Sequence, residues 1–191
     1  NHASYYQNAT NISLKLLYNP ETLEILGAQA IGEEGTEKRI DVIATSIKAG
    51  LKVTHLSDLE LAYAPPFSSA KDPVNILGYI AENVVDGAYK VAYPSQVEDF
   101  IKQNALFLDV RTPEEFEEGS IQGSINIEVD NLRQRLSEIK VAKDTPIVVN
   151  CYVGLRAYLA IMILRSHGYT NLYNLSGGYR TYSAYNYKLN T

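Results

Sequence analysis

Residues 12–18 alternate apolar and polar positions in the manner of a half-buried strand. Asn19-Pro20-Glu21-Thr22 reads as a turn, and 23–31 returns as a second apolar strand, which predicts a hairpin. Ile40, Ile43, Ala44 and Ile47 recur at helical spacing behind a candidate cap at Thr36, with Gly50 as the stop. Asp72 followed by Pro73 is a strong helix start, because proline at the first helical position sacrifices no hydrogen bond. That helix carries Val74, Leu77, Ile80, Ala81 and Val84 on one face and ends near Gly87. Between the two helices, Ala62–Ser68 contains Pro65-Pro66 and is read as stiff and extended.

The pattern changes after residue 87. Residues 88–94 are read as a linker between a first domain at 1–87 and a second at 95–191. Ser95 with Glu98, and Thr112 with Glu115, have the spacing of capping boxes, each ahead of a short helix. Strands are expected at 105–110, 125–127, 147–150 and 171–175, with helices around Leu132–Ile139 and at 156–167. Alternation at this pace implies an α/β domain with a parallel sheet. The smaller first domain, a hairpin with two helices, reads as α+β.

Composition narrows the functional classes. The chain has 191 residues, 46% hydrophobic and 20% charged, an ordinary globular balance. No apolar run approaches the ~18 residues of a membrane span, so no membrane partner is expected. The net charge is −5; residues 1–90 hold 7 basic and 11 acidic side chains, and the remainder 10 and 11. Neither part has the basic stripe that neutralises phosphates, which argues against nucleic acid as a partner. One cysteine excludes an internal disulfide framework and points to a reducing, cytoplasmic compartment. His2, His55 and His167 stand apart without ligand spacing, so no metal is assigned. The start at Asn1-His2-Ala3, without Met, suggests a fragment of a longer chain or an engineered boundary.

The one cysteine follows the strand at 147–150 and opens Cys151-Tyr152-Val153-Gly154-Leu155-Arg156, which leads into a helix. Parallel sheets bind ligands beyond the carboxyl ends of their strands, so the thiol lies where such a fold places its site. Gly154 permits a turn that a side chain would obstruct. The helix that follows aims its positive end at the sulfur, and Arg156 adds a charge that deprotonation cannot remove. Surroundings of this kind favour the nucleophilic thiolate. An isolated cysteine more often serves as a small buried hydrophobe, but position, glycine and arginine together outweigh that reading.

Several stretches then carry a family resemblance. Leu108-Asp109-Val110-Arg111, Glu115-Phe116, Gly119–Ile127, Cys151–Arg156, Gly168-Tyr169 and Leu175–Tyr179 make residues 94–185 resemble a rhodanese domain. Ser120 and Tyr182 replace a frequent His and Trp of that family, and both read as packing positions. The resemblance implies that Cys151 accepts a sulfane sulfur as a persulfide, with Arg156 beside it. Tyr152, Val153, Gly154 and Leu155 then supply the amides that hold the terminal sulfur. Related phosphatases have a loop one residue longer, whereas here four residues separate Cys151 from Arg156. For Asp109 and Arg111 the favoured role is structural, with Arg111 paired to Glu115.

The first domain contains no phosphate-binding glycine pattern, since Gly32-Glu33-Glu34-Gly35 has the wrong spacing. It resembles the dimerisation domain of pyridine nucleotide-disulfide oxidoreductases, in the coenzyme A-disulfide reductase branch. The carriers are Gly27–Gly32, Lys38–Val42, Tyr63–Ser68 and Lys71–Asn75. The resemblance implies a homodimer, and tyrosines lent to the partner subunit's reductase site, with Tyr63 and one of Tyr5 or Tyr6 as candidates. No cofactor is expected in this chain; FAD, NADH and coenzyme A are implied for an intact parent. Its partners would be a sulfane-sulfur donor and a thiol acceptor. The alternative is a catalytically idle rhodanese-fold binding module on a dimerisation scaffold.

Overall fold

The computed structural model describes residues 2–189, with side chains through Tyr187; Asn1, Asn190 and Thr191, at the outer ends of the two expected domains, lie outside the described residues. The chain divides into two compact units, Asn1–Asp86 and Gly87–Thr191.

The first unit pairs β1 (Ile12–Tyr18) with β2 (Ile25–Gly32) as an antiparallel hairpin, in a register that sets Ile12 opposite Gly32. A shift between Leu17 and Tyr18 bulges the ladder, so Tyr18 faces Ile25. Helices α1 (Thr36–Lys48) and α2 (Pro73–Val85) follow. Thr36 is the first helical residue rather than the cap; Gly35 takes the capping position with a left-handed backbone. Ile25, Ile43, Val53, Leu56, Val74 and Ala81 form the core. Ile47 and Ile80, on the apolar faces of these helices, are exposed.

The helix signal at Asp72 acts as expected. Its carboxylate accepts the Val74 N–H at 3.0 Å, while Asn75 Oδ1 accepts the Asp72 N–H at 3.0 Å. The same carboxylate pairs with Arg39 of α1, whose Nη2 lies 2.8 Å from Oδ2 with both side chains buried. Arg39 also donates to the Gly35 carbonyl, and Ser68 Oγ donates to Asp72 at 2.7 Å. Helical spacing alone gave no sign that an arginine would be buried at the α1–α2 contact.

The second unit is a five-stranded parallel sheet in the order β3-β7-β6-β4-β5. Its strands are β3 (Lys90–Ala92), β4 (Leu106–Asp109), β5 (Ile125–Asn126), β6 (Ile147–Asn150) and β7 (Leu172–Leu175). The stretch expected to be a linker therefore contains a strand, since Lys90–Ala92 pairs with Tyr173–Leu175. Three residues of an edge strand are too few for a period-2 signal to emerge from Gly87–Pro94. The connecting helices are α3 (Val97–Lys102), α4 (Pro113–Glu117), α5 (Leu132–Arg135) and α6 (Leu155–Ser166). Ahead of α3 the Tyr93 N–H donates to the Gln96 side chain, replacing the expected Ser95–Glu98 box. Phe107, Val148, Leu175 and Ala92 pack with Val97, Ile121 and Tyr182 as the core on one side of the sheet. Tyr182 is thus a packing residue, as expected.

A last helix, α7 (Gly178–Leu189), was not anticipated. Its start is secured by tertiary contacts: the Tyr179 and Arg180 N–H groups donate to the Cys151 and Tyr152 carbonyls at 2.8 and 3.1 Å. Helix starts satisfied by a distant loop leave no local capping signature.

Candidate active site

The site grows from β6, the middle strand of the sheet, whose four residues are all buried. Cys151 follows directly and is itself buried. The chain turns back at Gly154, where φ is 129°, a backbone that disfavours any side chain. That turn brings the Gly154 N–H to 3.0 Å from Cys151 Sγ. Helix α6 begins at the next residue, so its positive dipole end is at the loop that carries the thiol. Asn174 Nδ2 donates to the Gly154 carbonyl at 3.3 Å and steadies the turn from β7.

The far side of the loop is closed by α7. Gly178 has φ 61°, and a Cβ there would lie 2.5 Å from both the Cys151 and Tyr152 carbonyl oxygens. Only glycine lets the helix approach closely enough to donate two amides to the loop. Asn150, immediately before the cysteine, is fully buried, and its amide has no hydrogen-bond partner among the described residues.

Arg156 is held by Glu115, the residue expected to pair with Arg111. Its Nη1 and Nη2 donate to the two Glu115 carboxylate oxygens at 2.6 and 2.7 Å, a bidentate pair across 41 positions. Glu115 also accepts the Thr112 N–H at 3.0 Å, completing the predicted capping box of α4. The Arg156 guanidinium holds the Glu115 carboxyl far below its ordinary 4.5, at about 2. Reciprocally, Glu115 first and the nearby Cys151 second raise the Arg156 pKa.

Arg111 consequently does not pair with Glu115. Its Nη2 lies 2.6 Å from Asp109 Oδ2, it donates to the Gly119 carbonyl at 2.7 Å, and its guanidinium stacks on the Tyr179 ring at 4.1 Å. The role is structural, as expected, but the partner is the inward-facing Asp109. Glu115 is the partner expected to brace the short helix, whereas Asp109, at the end of β4, takes the guanidinium instead. The sequence offered one usable clue: Glu115, as the third residue of a capping box, has its carboxylate fixed beside the start of α4.

Of the loop residues singled out, Tyr152, Val153 and Leu155 expose their side chains, and Gly154 is the one whose amide reaches the sulfur. In the first unit, Tyr5 and Tyr63 come together, their hydroxyls 3.0 Å apart and both rings exposed. The hydrogen bond with Tyr63 raises the Tyr5 pKa above its usual value. Tyr6 does not join them; its ring packs edge-on against His2.

Among the described residues no group of three metal-ligating side chains converges, and no helix is long and apolar enough to cross a membrane. Gly32–Gly35 links an antiparallel strand to α1 through a left-handed cap and forms no phosphate-cradling turn after a parallel strand.

Comparison with known proteins places both units. Residues 93–185 match the rhodanese-like domain family, and residues 1–73 match the pyridine nucleotide-disulphide oxidoreductase dimerisation domain. Reduced Bacillus anthracis CoADR-RHD is 46% identical over 95% of this chain, with a TM-score of 0.90. A NAD-dependent persulfide reductase from A. fulgidus is 36% identical over 95%, with a TM-score of 0.82. The coenzyme A disulfide reductase of Staphylococcus haemolyticus is 40% identical over 83 residues, which is 44% of this chain. The chain spans 32% of each of those two solved chains and 19% of that curated relative. A dimerisation domain of the pyridine nucleotide-disulphide oxidoreductases thus precedes a rhodanese-like domain, and with this pairing the chain belongs to the family of coenzyme A-disulfide reductase/rhodanese fusions.

Proposed function

We propose that the second unit is a sulfurtransferase module in which Cys151 carries sulfane sulfur as a persulfide. The observation that carries this reading is the Gly154 N–H at 3.0 Å from a sulfur set at the mouth of the central parallel strand. The Cys151 thiolate attacks the outer sulfur of a donor R–S–SH. The donor S–S bond breaks, its electron pair leaves with RS⁻, and Cys151 retains Sγ–SH. An acceptor thiolate then attacks that terminal sulfur, and the electron pair of the broken bond returns to Cys151 as thiolate. The Gly154 amide and the start of α6 stabilise the negative sulfur at each stage, while the nearby Arg156 guanidinium is held in its pair with Glu115. Tyr152, Val153 and Leu155 line the approach of the donor.

For the intact parent the reading is NADH-dependent reduction of a coenzyme A disulfide or persulfide on FAD. Those cofactors belong to parts of the parent outside this chain. Tyr5 and Tyr63 would act there as a hydrogen-bonded hydroxyl pair lent to the partner subunit of a homodimer. The exposed Ile47, Ile76 and Ile80 support self-association of the first unit.

The test is Cys151→Ser. Thiol- or cyanide-dependent release of sulfur from a loaded chain falls to background in the variant. Release at the wild-type rate would return the module to a binding role.

A further inference from the structure

We propose that Glu115 sets the donor preference of the Cys151 loop. By neutralising Arg156, it makes the loop take hydropersulfides with an apolar tail and reject doubly charged sulfur oxyanions such as thiosulfate. This rests on the reading of Cys151 as a sulfur acceptor.

Charge supplies the first half of the argument. The six-residue loop contains one cationic side chain, Arg156. Both of its terminal nitrogens are committed to one carboxylate, at 2.6 and 2.7 Å, so the fork faces Glu115 and its charge is cancelled locally. Glu115 is fixed in turn by the Thr112 N–H, so the pair is tied to the start of α4. That short helix also carries Glu114 and Glu117, and Glu118 follows directly. A dianion approaching Cys151 meets no uncompensated cation in the loop and several carboxylates on the neighbouring segment. Each unit charge within about 6 Å of a dianion alters its affinity on the order of tenfold at surface dielectrics.

The second half is apolar surface. Cys151 is buried, whereas Tyr152 is 48%, Val153 51% and Leu155 68% exposed, and Leu159 is exposed one turn further along α6. Three of these side chains belong to the loop that holds the sulfur, and the alkyl carbons of a donor bound there gain by covering them. Thiosulfate has no such carbons. Both donors can deliver sulfur in a balanced step: thiosulfate would release sulfite, and an alkyl hydropersulfide would release its thiolate, each leaving sulfur on Sγ.

The experiment compares kcat/KM for sulfur uptake from thiosulfate and from a neutral alkyl hydropersulfide, using the whole 191-residue chain. The wild type favours the hydropersulfide. Glu115→Gln keeps the shape but frees the Arg156 charge, so the KM for thiosulfate falls about tenfold and the ratio moves toward thiosulfate. Glu115→Asp restores the preference. Glu117→Gln removes the same unit of charge from an exposed position and leaves the ratio within about twofold. A merely structural loss affects both donors alike, so the ratio isolates the specificity role. Leu155→Lys, at an exposed position, shifts the ratio in the same direction without disturbing the pair. A wild-type preference for thiosulfate, a ratio indifferent to Glu115→Gln, or an equal effect from Glu117→Gln would overturn this assignment alone. Uptake from neither donor would overturn the sulfurtransferase reading and this inference with it.

Discussion

Asp72 and Glu115 perform the same two tasks in the two units, and their surroundings make the results different. Each carboxylate caps the start of a helix and grips an arginine from another helix: Arg39 in the first unit, Arg156 in the second. Asp72 and Arg39 are 2% and 1% exposed, whereas Glu115 and Arg156 are 31% and 32% exposed. For Asp72, burial pushes the carboxyl up, but the Val74 N–H, Ser68 and Arg39 outweigh it and hold the group below its usual range. For Glu115 the Arg156 guanidinium is the largest influence, and with the Thr112 N–H it outweighs the opposing effect of burial. A fully desolvated pair is a structural tie whose halves depend on each other. A solvent-screened pair adds little stability and is free to set the charge beside a reactive group. The comparison teaches that the same hydrogen-bond pattern reads as bracing or as chemistry according to how much water reaches it.

The largest effect separates the two pairs directly. Asp72→Ala strands the Arg39 charge in the core and costs about 3–5 kcal/mol, measured by urea unfolding of the first unit. Arg39→Met combined with Asp72→Leu regains most of that loss, because neither charge is then left unpaired. Sulfur uptake at Cys151 is unaffected in both variants, since the second unit keeps its own core. Slower uptake would show that the two regions are coupled.

A smaller effect comes from the contact that closes the loop. Gly178→Ala introduces a Cβ against the Cys151 and Tyr152 carbonyls at a positive φ, which costs about 1–3 kcal/mol. The α7 start retreats from the loop, and alkylation of Cys151 by iodoacetamide changes in rate while the first unit unfolds as before. An unaltered alkylation rate would mean that α7 does not shape the loop.

The smallest effect concerns the exposed pair itself. The Glu115 pKa is depressed when folded, so its contribution is complete above the ordinary 4.5 and is lost as the pH falls toward about 2. Glu115→Gln therefore lowers stability by a constant amount, no more than about 1 kcal/mol, between pH 5 and pH 8. The difference from wild type narrows below pH 4.5. A gap that widened on acidification would contradict the assigned pairing.

These contrasts also mark how far the sequence could be read. The hairpin, both long helices of the first unit and the strand–loop–helix around Cys151 were legible, because alternation, an Asp-Pro start and a glycine turn are local signals. Strand β3 was not, since three residues at a sheet edge carry no period. Helix α7 was hidden because its first amides are capped by Cys151 and Tyr152 rather than by neighbours. The partner of Arg156 stayed concealed because 41 residues separate it from Glu115, and the nearer Arg111 offered a plausible but incorrect match. For Tyr5 and Tyr6, nothing in adjacent identical residues could decide which would meet Tyr63; the fold selects Tyr5.

The central claim is that Cys151 takes up sulfane sulfur, and mass spectrometry of the intact chain tests it most directly. After brief exposure to an alkyl hydropersulfide and removal of excess donor, the chain should gain the mass of a single sulfur atom. Peptide mapping should locate that atom on Cys151, and a reductant should remove it. A chain that gains no mass while its thiol remains free to alkylate would contradict the account.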